Sequence, residues 1–266
     1  MQNDISSLFT QVHAIVLPSR KEYVKNTFRK MGITYSEFDC VLGSTLDKSK
    51  LINDGIIVSN SNLRINEIAC ALSHVGVITK FYNTSRNYND TCMIFEDDIT
   101  YDPDHFNKLK KCMDNMPSGW EFINFGRCWD NCSSQKKIND YIVVSERSLC
   151  THSYAITRAC AKKILDSCFP IPDAIDRFYV NNCKNLFTIY SSSPRIYNQL
   201  NSSDNTIIGT STLGNSDSPE CSYSVVKQIH KNKNIMLILL FVVVLVVVVS
   251  CFQKNIFKEI KNFFIR

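Results

Sequence analysis

Two periodicities, one of strands and one of helices, alternate along the first two thirds of the chain. Residues 12–17, VHAIVL, form a short apolar run that predicts a strand. From Arg20 to Met31, Val24, Phe28 and Met31 recur at helical spacing, and Gly32 supplies a stop. Residues 33–41 read as the next strand, and this strand–helix–strand opening predicts a parallel α/β layer. Residues 43–63, punctuated by Gly, Asn and Ser, read as a loop. Asn66 is the predicted N-cap of a helix reaching about Tyr82, with Glu67 in its first turn. Ile68, Leu72, Val75 and Ile78 give that helix its apolar face, and Glu67, Cys70 and His74 lie on an adjoining one. CMIF at 92–95 is a buried-type strand that runs directly into Glu96-Asp97-Asp98. Asp102, followed by Pro103, opens a helix with Phe106, Leu109, Met113 and Met116 on its apolar side. Strands are predicted at 121–126, 141–144, 153–157 and 186–191, and a helix at 158–167.

The pattern changes near the end. Ser, Asn, Thr and Gly dominate after about Ser203, so 205–234 reads as a flexible stalk. Ile235 to Phe252 is then continuously apolar, with Ser250 its one polar side chain. At ~1.5 Å per residue the run reaches ~27 Å, enough for a thin bilayer, and it predicts a single transmembrane helix ahead of a short basic tail, 253–266. No leader is legible in the polar opening residues. A lone span this close to the end predicts tail-anchored insertion, with the bulk of the chain in the cytosol.

Charge adds one exclusion. The formal net charge is +5. Lys227, Lys231 and Lys233 before the apolar run, and Lys254, Lys258, Lys261 and Arg266 against Glu259 after it, account for all of it. The basic excess belongs to the membrane flanks, and residues 1–226 offer none to a polyanion, so nucleic acid is not an expected partner. The 12 cysteines follow no small-domain spacing, and several fall at apolar helix positions, which predicts free, buried thiols. Cys128 and Cys132 are close, but no CxxC or paired His completes a zinc site. Sequons occur at Asn83, Asn89, Asn131 and Asn201 and matter only if the domain is lumenal.

Three adjacent carboxylates at a strand end repel one another unless a cation or a donor network compensates. Glu96-Asp97-Asp98 therefore reads either as a Mg²⁺ or Mn²⁺ site able to bridge a diphosphate, or as a solvated acidic turn capping the next helix. His74 and His152 read as phosphate-holding or base-orienting groups, or as satisfied structural histidines. Asp173 and Asp176, after Pro170 and Pro172, read as a general base or as helix caps. A P-loop, a dinucleotide-binding GxGxxG and a GxSxG elbow are absent from the sequence.

The order of these segments carries a resemblance. Asn66 to His74, NEIACALSH, resembles the "GEIGCxLSH" helix of glycosyltransferase family 25. Met93 to Asp98 is similar to its "ILEDD" element, and Thr151 to Arg158 to its "GTHAYLISR" element, followed by Ala161 to Leu165. Ile175 to Phe178 resembles its "xDxx" segment, Pro194 to Asp204 its closing "P…Q…SD" stretch, and VHAIVLPSRKEYV its opening "VINLxxRxxR". Together they span about residues 12–205. The resemblance implies a GT-A-like, Rossmann-like mixed sheet with flanking helices as one catalytic domain over 1–204. It also implies a UDP-sugar donor, often UDP-galactose, with a divalent metal (Mn²⁺ or Mg²⁺), inversion, and a glycan, lipid or protein hydroxyl as acceptor. By the same carry-over, Glu96 and Asp98 are metal and diphosphate ligands. Glu67, Ser73, His74 and His152 line the donor site, and Asp97 and Asp176 are the catalytic candidates. Asn66 and Ala69 replace family glycines, Tyr23 stands where a second early Arg is expected, and Cys150 replaces the Gly of "GTH". Two alternatives follow: a non-catalytic membrane protein keeping the fold to bind glycans or scaffold partners, and a nucleotidyltransferase or sugar-phosphate hydrolase using the same metal logic.

Overall fold

The structure, a computed structural model, describes residues 4–130 and 134–200. The predicted stalk, span and tail, 205–266, lie outside the described residues. Among the described residues no helix is long and apolar enough to cross a membrane.

The opening follows its pattern. Strand β1 (Gln11–Val16) leads into α1 (Lys21–Met31), where Val24, Phe28 and Met31 are buried. Gly32 closes the helix in the left-handed region, φ 67°, its N–H turned back to the last carbonyls. Strand β2 (Ser36–Asp39) pairs parallel with β1, as the strand–helix–strand reading requires, but is shorter than predicted. The expected loop 43–63 contains a helix, α2 (Lys48–Asn53), because Asp47 accepts from the N–H groups of Ser49 and Lys50 and nucleates a turn.

Helix α3 (Ile65–Thr84) starts two residues earlier than predicted. Its cap is Arg64 rather than Asn66, because Glu67 reaches back to accept the Arg64 N–H at 2.8 Å. Next come β3 (Thr91–Phe95), β4 (Ile99–Tyr101) and α4 (His105–Asp114). Asp102 does not cap α4 directly, since Asp104 holds that position. Asp102 accepts from the Asp104 N–H at 2.7 Å and pairs with Lys108 at 2.9 Å, bracing the first turn from outside. The remaining elements are β5 (Phe122–Asn124), β6 (Lys136–Lys137), β7 (Ile142–Val144), β8 (Ser153–Thr157), α5 (Arg158–Ser167), α6 (Ile175–Asn182), β9 (Ile189–Ser192) and β10 (Tyr197–Gln199). Strand β8 and helix α5 match their predicted bounds.

One mixed sheet runs in the order β2-β1-β3-β8-β5-β9-β7-β6, and β10 pairs with β4 in a separate antiparallel ladder. Side chains alternate across the sheet with period two. Cys92, Ile94, Tyr154 and Ile156 point into a core closed by α3, α5 and α6. Met93, Phe95 and Ala155 point into a second core with Phe28 and Leu109. Both faces are covered, which is why CMIF is continuously apolar rather than alternating.

The free-thiol reading needs one correction. Cys40, Cys70, Cys92, Cys112, Cys160, Cys168 and Cys183 are free, but Cys128 and Cys150 are disulfide-bonded. Their Cα atoms lie 5.6 Å apart, within the span of the bond, although 22 residues separate them in sequence. An isolated bridge between Cys128 and Leu149 brings them together, and spacing alone does not encode that pairing.

Candidate active site

The acidic triplet sits where β3 ends, at the seam between the parallel strands β2-β1-β3 and the antiparallel neighbour β8. At this edge the C-termini of β1 and β3 meet the residues leading into β8. The Glu96 N–H donates to the His152 carbonyl at 3.0 Å, extending the β3–β8 ladder by one bond.

Each carboxylate has a different setting. Glu96 Oε1 accepts from the Thr151 hydroxyl at 2.6 Å and lies 3.1 Å from His74 Nε2. An ionised carboxylate only accepts, so His74 carries its proton on Nε2. On its other side His74 Nδ1 lies 2.9 Å from the Tyr154 hydroxyl, itself 3.4 Å from that of Tyr179. Burial alone would raise Glu96, but the His74 and Thr151 contacts outweigh it and hold the carboxyl below its usual range.

Asp97 turns the other way. It accepts from the Leu17 N–H at 2.7 Å and pairs with Arg20 at 2.6 Å, tying the end of β1 to the end of β3. Burial still pushes it up despite Arg20. Asp98 is the least compensated. Arg20 lies 3.6 Å away, and Gln199 Nε2 approaches its oxygens at 3.4 and 3.5 Å. Burial, with Glu96 and Asp97 adding repulsion, raises Asp98 to about 7.

Asp97 and Asp98 share the Arg20 guanidinium and Glu96 adds a third carboxylate, so the cluster is under-neutralised. That imbalance, with oxygen donors from Glu96 and Asp98, fits a hard divalent cation. A concavity of about 400 Å³ at the other end of β1, lined by Ser6, His13 and Lys80 among others, has no carboxylate in its wall and offers no such site.

The remaining predicted residues fall into two groups. His152 is fully buried beside Glu96, and burial lowers it to about 4. Its Nε2 faces the Tyr197 carbonyl at 3.3 Å, and its Nδ1 has no hydrogen-bond partner among the described residues. Gly126 is required against it, since a Cβ there would collide with the imidazole. Ser73 is buried, donating to the Ala69 carbonyl at 2.7 Å and accepting from the Val41 N–H at 2.8 Å, so its hydroxyl ties α3 to the chain after β2.

Glu67 and Asp176 belong to a second polar patch. Arg177 bonds Asp173 at 2.7 Å and lies 3.8 Å from Glu67. Asp176, in the first turn of α6, accepts from the Cys150 N–H at 3.2 Å. Cys70 links the two groups. Its sulfur, His74 nitrogen and Glu96 oxygen lie within 4.8 Å of one another. Burial, then Glu96, Asp176, Asp98 and Asp97, push the Cys70 thiol well up, so it stays protonated between the triplet and Asp176.

Sequence reasoning did not single out Arg20, Thr151, Tyr154 or Gln199. Each nevertheless stands inside a segment whose order carried the resemblance, and position within that segment was the available signal.

The sequence model of glycosyltransferase family 25 (LPS biosynthesis protein) matches residues 17–179. A glycosyltransferase 25 family member of Aedes aegypti is 26% identical over 161 residues, which is 56% of this chain and 26% of that protein. The chain therefore spans about a quarter of that relative's length at the match. The matched span runs from the β1–α1 turn to α6 and includes every candidate residue except Gln199, and over it the chain belongs to glycosyltransferase family 25.

Proposed function

We propose that the chain transfers a hexose, galactose first among the candidates, from a UDP-sugar to a hydroxyl of a glycan, lipid or protein, on a GT-A-type domain. The observation that carries this reading is the largely buried, under-neutralised triplet at the C-terminal end of β3, where open α/β sheets bind nucleotides. Glu96 and Asp98 would hold Mn²⁺ or Mg²⁺, which when bound offsets the charge of the diphosphate leaving group.

The chain's own groups do the rest. His74 and Thr151 fix the Glu96 carboxylate, so that it is ionised and aimed before substrate arrives. Asp97 is assigned to anchoring Arg20 rather than to the reacting atoms, because Leu17 and Arg20 already occupy its oxygens. Arg20, held between Asp97 and Asp98, would offer its guanidinium to phosphate oxygens. Glu67, Arg177 and Asp176 would face the acceptor. Asp176, oriented by the Cys150 N–H, would take the proton of the attacking hydroxyl as the anomeric carbon inverts. The apolar run 235–252 would tether this domain to a membrane.

The test is UDP release by the full-length chain from a panel of UDP-hexoses, with Mn²⁺ and with chelator, and with candidate acceptors. One donor turning over in a metal-dependent way supports the proposal. Release from no donor by a folded chain, with glycan, lipid and protein acceptors supplied, contradicts it.

A further inference from the structure

Two non-glycine residues among those described have positive φ, Trp129 at 53° and Cys150 at 66°. The left-handed region is costly for an L-residue and natural for glycine. Both positions flank or form the Cys128–Cys150 disulfide. Cys150 also stands where the resembling family segment opens with Gly.

What the Cys150 turn carries explains why it matters. Its N–H donates to Asp176. The next residue, Thr151, donates to Glu96, and the following carbonyl, of His152, accepts from the Glu96 N–H. Three consecutive residues thus join the acceptor-side carboxylate to the triplet. The turn is pinned from behind by the disulfide, by the Cys128 N–H to the Leu149 carbonyl at 3.0 Å, and by Asn124 Nδ2 to the Cys150 carbonyl at 2.8 Å.

We infer that the Cys128–Cys150 disulfide is a positioning element of the site. It holds Cys150 in the left-handed turn that a glycine would adopt freely, and so sets Asp176 and Thr151 relative to Glu96. The oxidised chain is then the competent one, which rests on the function proposed above. The bond forms by thiol–disulfide exchange with an external disulfide, which takes up the two electrons and two protons of the thiols. A phosphine reductant breaks it with one water, giving two thiols and the phosphine oxide. Such a domain matures where disulfides persist, the opposite side of the membrane from that expected of free thiols. Asn83 and Asn89 are exposed and within sequons, so their glycan occupancy reports that side independently.

The experiment compares the full-length wild type with Cys128→Ser, Cys150→Gly and the double variant. Peptide mass after alkylation without reduction reads the pairing, and metal-dependent UDP release and thermal melting read the consequence. A phosphine should lower wild-type kcat by about 10²-fold, reversibly, as expected for misplaced groups, and Cys128→Ser should show the same loss without reductant. The double variant should regain most of the turnover and ignore the reductant, because glycine restores the turn without the bond. That rescue separates positioning from plain stabilisation, which a second lost cysteine would not repair. Free thiols at both positions in oxidised protein, full turnover by Cys128→Ser, or a double variant no better than Cys128→Ser would each overturn the inference. If the wild type turns over no donor, the functional proposal fails instead. Melting then decides this one: a double variant melting above Cys128→Ser supports it, and one melting at or below it does not.

Discussion

The half of the sheet made by β2, β1 and β3 and the half made by β8, β5, β9, β7 and β6 contribute to one site by different means. In the first, strands are parallel and are joined through α1 and α3, so Arg20, His74 and the triplet are placed by continuous local structure. In the second, pairing is mixed, antiparallel except between β5 and β9, and Thr151, His152 and Cys150 are placed by long-range pairing and a disulfide. The seam between β3 and β8 is where the halves must agree. Charge comes mostly from the first half and orientation mostly from the second. The two halves should therefore fail differently when altered.

The largest effect is expected in the first half. Asp98→Asn keeps the shape but removes the proposed metal ligand and a charge, and should lower turnover by about 10²–10³-fold, measured as UDP release. The same variant should be more stable without metal at neutral pH. A carboxyl whose folded value exceeds its unfolded one stabilises the fold below the unfolded value and loses that contribution as pH rises through the folded value. For Asp98 the window runs from 3.8 to about 7. Metal-free Asp98→Asn should therefore melt above the wild type at about pH 8, and the gap should narrow as pH falls toward 3.8. His152, lowered from 6.5 to about 4, loses its own contribution as pH falls through that range in both proteins, so the difference cancels it. A wild type that melts above the variant at high pH without metal would contradict the charge imbalance.

In the second half, Gly126→Ala should act through geometry. The added methyl meets the His152 ring, so denaturant melts should show a loss of about 1–3 kcal/mol, with kcat falling while Mn²⁺ affinity changes little. Equal damage to metal affinity would blur the distinction between the halves. The smallest effect belongs to Asp47→Ala, which removes the cap of α2, an element of neither half of the sheet. It should cost about 1 kcal/mol in stability and leave turnover unchanged.

The same contrast decides what was legible in the sequence. Val24, Phe28 and Met31 declare α1, and Gly32 its end, because helix spacing and a left-handed stop are local facts. CMIF followed by three acids declares a buried strand ending in a charged edge. Helix α2 was missed because a single capping Asp47 outweighs a loop-like composition. The start of α3 was displaced because Glu67 prefers the Arg64 N–H to a cap at Asn66. Strands β4 and β10 pair across nearly a hundred residues, and neither has a period long enough to read. The triplet was visible as a cluster, but not the division of labour within it. That division depends on Arg20 and Leu17 reaching Asp97, and on His74 and Thr151 reaching Glu96. The disulfide was invisible for the same reason: Cys128 and Cys150 meet through the Leu149 bridge, not through spacing.

The most direct measurement of the central claim is calorimetric titration of UDP into the full-length chain, with and without Mn²⁺, for the wild type and Asp98→Ala. The account predicts binding that requires the metal in the wild type and is lost in the variant. UDP binding that is equally tight without Mn²⁺, or unchanged in Asp98→Ala, would show that the triplet is not the nucleotide-sugar site.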